Sequence, residues 1–501
     1  MTAENSQDLK TGWNGDKTPP TEIDAPKPKK QWTVMIYMAG DNNLSEECVY
    51  NLTEAKAALT EKNDSKFAVL AQFDPAGVRA ETYRYRLTAE NKELTKDRTG
   101  WKAHETDTGE AKNLLEFLRW GISEHPAERY MVVLVGHGSG TSDDFLLRDD
   151  NPAGALSIDG LRWVFDQLTA DGQTIDILGF DTCLMNMAEV AFELLRTNIT
   201  YMVGSEGYSP NAGWPYKEII KKLSDQIHVD HSAPEPLPLA KYIVEKYQDF
   251  YVPYISGGVS IDQSVLEVKK IDDVKKKMFT LVGALMDDLQ TDDHNKDEDY
   301  LQKKTAMKNA LLLAHWDAQS YNGELFVDLR DFCEQLIARY KEFKVESDAS
   351  AKCLEVIKAI NQMVVETCIA GSAFQFSYGL SIYFPWAVLS PSYRNLAFPK
   401  ETGWLDYLMR YHIATRRKSR EHTMVRLPES PYRATPYTNK GRDGRVESMR
   451  NAPDGEFIDS QGIIPPKSIE SAQIHREPAS APKTNNGQES KKKNTVQSRV
   501  K

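Results

Sequence analysis

Tyr130-Met131-Val132-Val133-Leu134-Val135-Gly136-His137-Gly138 and Ile175-Asp176-Ile177-Leu178-Gly179-Phe180-Asp181-Thr182-Cys183 are the two stretches from which the fold can be read. Each is a short, mostly apolar run that ends on a reactive side chain. Runs of this length that are apolar at consecutive positions read as strands buried on both faces, the mark of a parallel sheet. In open α/β sheets chemistry collects just beyond the carboxyl ends of the strands. If these two strands are neighbours, His137 and Cys183 face each other across one crevice. A thiol nucleophile and its histidine need that geometry.

Outward from these runs, residues 32–38 form a strong strand, and 39–44 a turn in which Asp41 or Asn42 can cap a helix running to about residue 60. Residues 66–73 are a further strand, and 81–87, where Tyr and Arg alternate, read as an exposed edge strand. An amphipathic helix covers 113–122, a long polar loop 139–155, a helix 158–168, an apolar helix 185–195 and a strand 201–204. This β-α-β-α order implies a mostly parallel central sheet with right-handed crossovers and helices on both faces. Residues 237–367 are largely helical, broken by a short strand at 257–262, and the strand at 379–384, stopped by Pro385, is expected to return to the sheet. Four segments follow: a disordered leader (1–31), an α/β core (32–236), a mostly helical part that returns a strand (237–411), and a basic tail too poor in aliphatics to order itself (412–501).

The chain has 501 residues, more than one core of roughly 250–300 residues accommodates. Its formal net charge is −11 although the tail is rich in Lys and Arg, so the folded part is the more acidic. That argues against nucleic acid as a partner and suits basic ligands. The five cysteines are odd in number and contain no C-x-x-C pair, which reads as reduced thiols rather than a disulfide or zinc framework. No apolar run reaches the roughly 18 residues of a transmembrane helix, so no membrane partner is expected. The start has no apolar signal core, and cytoplasmic residence is the expectation.

Cys183 follows a strand end with a helix expected behind it, and a helix N-terminus favours the thiolate. His137 lies between two glycines, so backbone can approach a ligand there, and the Gly138 and Cys183 N–H groups can hold an oxyanion. The string Gly136-His137-Gly138-Ser139-Gly140 is no serine elbow, because its centre is Gly138. Asp181 lies two residues before Cys183 and on a strand shares its face, so its carboxylate can receive a Lys or Arg side chain. Ser205 and Glu206, just past the 201–204 strand, are expected to wall the same pocket, with residues 211–216 as an aromatic rim. Arg148 is the single basic residue of the 139–155 loop.

Residues 32–44, Gly136-His137-Gly138, Phe180-Asp181-Thr182-Cys183-Leu184-Met185, Gly213-Trp214-Pro215-Tyr216 and 379–384 together resemble the clostripain family of cysteine peptidases, over about residues 31–411. The resemblance implies the caspase-like three-layer α/β sandwich shared with caspases, legumains and gingipains. It implies that His137 and Cys183 are the catalytic pair, that Asp181 selects Arg or Lys at the P1 position, and that the chain is cut between the His and Cys strands. With the specificity this gives, self-cleavage after Arg148 is expected. Some relatives depend on calcium, but no D-x-[DN]-x-[DN]-G loop is present, and no cofactor is expected. A second pocket acid of some relatives has no match at Ala212, and many relatives are exported. The function implied is a cysteine endopeptidase acting on proteins or peptides after Arg or Lys. The alternative is an inactive caspase-like module that binds basic peptide segments.

Overall fold

The computed structural model describes residues 27–60, 66–77, 80–104, 106–228, 234–291 and 294–415. Most of the expected leader (1–26) and tail (416–501) lies outside the described residues; 30–31 belong to the first strand and 412–415 to the last helix.

The chain runs β1 (Lys30–Gly40), α1 (Ser45–Ala57), β2 (Phe67–Pro75), β3 (Thr82–Leu87), β4 (Arg98–Ala103), α2 (Ala111–Glu124) and β5 (Ala127–Val135). A hairpin follows, β6 (Leu146–Asp150) and β7 (Ala153–Leu156). Then come α3 (Ile158–Ala170), β8 (Ile175–Asp181), α4 (Ala188–Glu193), β9 (Ile199–Gly204), α5 (Tyr216–His228), α6 (Pro236–Tyr251) and β10 (Ile261–Glu267). The remainder is α7 (Ile271–Leu289), α8 (Glu298–Asp317), β11 (Ser320–Tyr321), β12 (Phe326–Asp328), α9 (Leu329–Glu342), α10 (Ala349–Met363), β13 (Val364–Ala370), β14 (Ser381–Tyr383), α11 (Ala397–Thr402) and α12 (Trp404–Thr415).

Among the described residues nine strands form the main sheet, in the order β13-β10-β9-β8-β5-β1-β2-β3-β4. The inner strands β9, β8, β5, β1 and β2 pair in parallel, and the flanking ones antiparallel. Alternate side chains of each inner strand feed opposite layers. Tyr37, Leu70, Leu134 and Phe180 pack in one core with α2, α3 and α7, while Ile36, Val69, Val133 and Ile177 pack in the other with α1, α5 and α6. Burial on both faces is why these strands are apolar without alternation. The β5–β8 register sets Val135 opposite Asp181. His137 and Cys183 therefore leave the sheet at the same level, each two residues further on.

Several expectations are corrected. Residues 81–87 are not the edge, because β4 pairs outside β3; Arg98–Ala103 alternates half-buried and exposed and carries no apolar run to reveal it. Asn42 does not cap α1. Its Oδ1 accepts from Leu44 N at 2.9 Å, and its Nδ2 donates to Ala39 O and Arg148 O at 2.9 and 2.8 Å, which closes the turn instead. The strand at 379–384 does not join the main sheet. Its core, β14, pairs with β12 in a small sheet β11-β12-β14, and β13 is the late strand that returns, against β10. The 185–195 segment is helical only from Ala188 to Glu193, because Met187 bridges to Ser381 and Ser381 N donates to Asn186 O. The 139–155 segment is no polar loop but carries the β6–β7 hairpin, with Leu146 and Leu147 of β6 and Phe145 before it buried.

Candidate active site

His137 and Cys183 line one small cavity of about 30 Å³ at the carboxyl end of the sheet. Gly138 lies against the Cys183 backbone. A Cβ there would stand 2.5 Å from the Cys183 carbonyl oxygen, so only glycine brings this amide so close. His137 is 3% exposed, and its Nε2 lies 2.7 Å from Asn43 Oδ1. An amide oxygen can only accept, so Nε2 carries the proton and Nδ1 keeps the lone pair. Burial pushes the imidazole pKa down to about 3, with Arg148 adding to the effect. The ring is therefore neutral at working pH and able to take a proton from a thiol.

Cys183 is partly buried, and the helix expected behind it is absent, since α4 starts five residues later. A different donor serves the sulfur: Ser209 N–H points at Sγ from 3.3 Å. The turn beyond Cys183 is strained, with Leu184 at φ +65°. It is held by Leu184 N to Gly207 O at 3.0 Å and Asn186 N to Ser205 O at 3.0 Å.

Asp181 lines the same cavity. Its Oδ2 accepts from Trp214 N at 3.1 Å and Tyr216 Oη at 2.8 Å, and burial pushes its pKa up to about 6 against those two donors. Gly213, at φ +71°, closes over it; a Cβ there would come within 2.6 Å of Oδ2. Trp214 and Tyr216 are thus buried supports of Asp181 and form no exposed aromatic rim.

Ser205 and Glu206 do not line the cavity. Past β9 the chain turns inward, and Ser205 Oγ bonds Gly207 O and Ser209 Oγ at 3.1 and 2.9 Å. Glu206 points into the core, where Oε2 accepts from Gly379 N at 2.7 Å. The wall that reaches the cavity is Ser209, Pro210 and Asn211. Arg148 is 5% exposed inside β6, paired with Asp150 Oδ1 at 2.6 Å, and does not sit on an exposed loop tip. The hairpin that carries it is tied to the site through Leu147 N to His137 O at 2.9 Å.

Sequence reading missed Asn43, Glu47 and Ser209. Glu47 lines the cavity beside Asn51. Glu47 and Asn51 are spaced by four on α1, the one signal that could have placed those two on a single face. Among the described residues no group of three or more His, Cys, Asp or Glu side chains could hold a metal ion. Among the same residues no helix is long and apolar enough to cross a membrane.

Residues 36–410 match the sequence model of the clostripain family. Clostripain of Hathewaya histolytica is 21% identical over 413 residues, which span 70% of this chain and 74% of that one. A secreted C11 cysteine protease of Bacteroides thetaiotaomicron, solved with an irreversible peptide inhibitor, superposes with a TM-score of 0.55 at 17% identity, covering 75% of this chain and 99% of the other. An inactive zymogen of a C11 protease from Parabacteroides distasonis gives 0.52 at 20% identity, with 75% and 99% covered. These structural likenesses bear on the fold, a mostly parallel α/β sheet between helical layers. The Bacteroides protease is secreted, so the comparisons lend nothing to the cytoplasmic expectation.

Proposed function

Since the chain belongs to the clostripain family and is a cysteine-type endopeptidase, we propose that it cuts peptide bonds after Arg or Lys with Cys183 as nucleophile and His137 as its acid–base partner. The observation that carries this reading is the level exit of both residues from neighbouring strands into one cavity that also holds Asp181. Cys183 passes its proton to neutral His137 and attacks the scissile carbonyl. The Gly138 and Cys183 amides receive the oxyanion, the imidazolium protonates the leaving amine, and water then releases the acyl group. Asp181 meets the basic P1 side chain. The test is a positional peptide library digested by the wild-type protein. Cleavage confined to bonds after Arg and Lys is expected, and cleavage without a basic P1 preference would refute the specificity.

The cavity that holds Cys183 is narrow, about 30 Å³, but is not sealed from solvent. A narrow site suits a precursor, and a relative of the same fold is an inactive zymogen. Self-cleavage after Arg148 is the proposed release. Because that bond lies inside β6, the hairpin must open before it is cut, and maturation is expected to be slow relative to peptide turnover. Purified wild-type protein should yield two fragments, the second starting at Asp149, while Cys183→Ala stays whole. A fully active wild type that remains one intact chain would rule this out.

A further inference from the structure

Glu206 is turned away from the cavity, yet the loop it sits on reaches Cys183. We infer that Glu206 is a positioning residue: its carboxyl group, sharing a proton with Asp328, fixes the Ser205–Ser209 loop whose Ser209 amide contacts the nucleophile's sulfur. The inference rests on Cys183 being that nucleophile. Glu206 and Asp328 are fully buried and Asp262 is 3% exposed. Asp262, from β10, takes the backbone of the loop, with Glu206 N to Oδ2 at 2.6 Å and Gly207 N to Oδ1 at 3.1 Å. Asp328, from β12, accepts from Asp331 N at 2.7 Å and Tyr378 N at 2.6 Å. Each aspartate thus has two donors. Glu206 has one, from Gly379 N, and its Oε1 is buried with no hydrogen bond from a donor group.

The Glu206 and Asp328 carboxyl groups act on each other directly, an interaction that raises the proton affinity of Glu206 and lowers that of Asp328. Two carboxyl groups can bond only if one keeps its proton. Glu206, with the poorer supply of donors, is the one that keeps it, and Oε1 becomes the donor rather than an uncompensated charge. Burial and the charges of Asp328 and Asp262 hold this proton well above the ordinary glutamate range. The ionisable side chains that face the pair are Asp262 from β10 and Tyr321 from β11, with Asp331 and Cys333 of α9 and Tyr378 beside Asp328. All are carboxylic, phenolic or thiol groups.

A raised carboxyl pKa means the folded arrangement binds a proton that the unfolded chain has already lost. Its stability therefore falls as pH rises from the ordinary glutamate value toward the raised one. Once the proton leaves, adjacent buried carboxylates repel, and the loop that carries Ser209 loses its anchor.

The test compares wild type, Glu206→Gln and Glu206→Ala, measuring kcat/KM on an Arg reporter peptide and the thermal midpoint, each from pH 6 to 10. The Gln amide can donate to Asp328 and accept from Gly379 N but has no proton to lose. Glu206→Gln is expected to keep activity within about threefold at pH 7 and to carry it at least about one pH unit further into the alkaline range. Glu206→Ala is expected to lose about tenfold or more throughout, in kcat rather than KM. The ionisations of Cys183 and His137 are common to all three proteins, so a displaced limb belongs to position 206. Alkaline limbs of wild type and Glu206→Gln that coincide overturn the inference, as does Glu206→Gln as impaired as Glu206→Ala at every pH. A wild type that cleaves nothing refutes the catalytic reading alone, because the midpoints still report on the proton. They should fall more steeply with pH in wild type than in Glu206→Gln, and parallel curves overturn the inference. Should Glu206→Gln not fold, Asp328→Asn supplies a neutral partner and is held to the same midpoint comparison.

Discussion

Cys183→Ala is expected to lower kcat/KM on an Arg peptide by at least about four orders of magnitude, and His137→Ala to do nearly the same. On the proposed reading the Cys183 thiol forms the acyl intermediate, and Cys48, which lines the cavity too, is no equivalent nucleophile because burial raises its pKa far above the working range. His137 is neutral through burial, so it can accept the thiol's proton and later return it to the amine. Because the two act as a unit, the double variant should be barely worse than either single one, which separates a catalytic dyad from two independent structural losses. A thermal midpoint close to wild type is expected for Cys183→Ala, since the contacts of its sulfur with Ser209 are weak sulfur hydrogen bonds. Near wild-type turnover by Cys183→Ala, at a level above a mock-purified control, would end the assignment.

Asp181→Asn is expected to reduce kcat/KM on Arg and Lys substrates selectively, leaving neutral substrates within a few-fold. Asparagine keeps an oxygen for Trp214 N and Tyr216 Oη, so the fold around it is retained. What goes is the charge. Removing one partner of a desolvated ion pair costs about 3–5 kcal/mol, roughly two to three and a half decades in rate. The same carboxyl gives the pH dependence its sign. With its pKa raised to about 6, Asp181 gains its proton as pH falls through that value, and preference for basic over neutral peptides should decline there. An Arg-to-neutral ratio that Asp181→Asn leaves unmoved would sink this reading and move attention to Glu47, the other acid on the cavity.

The parts legible in the sequence were those where burial writes itself into composition. Tyr130–Val135 and Ile175–Phe180 had to be apolar on both faces, so their ends, and hence His137, Cys183 and Asp181, could be placed. Glu206 was misread because past a strand end nothing local says which way a side chain points; its direction is set by Gly379 and Asp328, more than a hundred residues away. The β6–β7 hairpin was hidden by turn formers on both sides of Phe145–Leu147, which drew the eye to polarity instead of the three apolar residues between them. Asn43 and Ser209 reach the site through loops, and loop geometry has no period to count.

The level exit of β5 and β8 has a consequence for how this site can vary. The level at which the proposed pair leaves the sheet is set by backbone pairing between two adjacent strands. Volume-conserving swaps at positions such as Val132 or Leu178 alter packing and leave the spacing of thiol and imidazole intact. A one-residue insertion or deletion within either strand slips the register and turns every later side chain to the opposite face. The chemistry is therefore robust to drift in composition and brittle to change in length, and evolution can rework the loops above the sheet while the count of residues beneath them stays frozen.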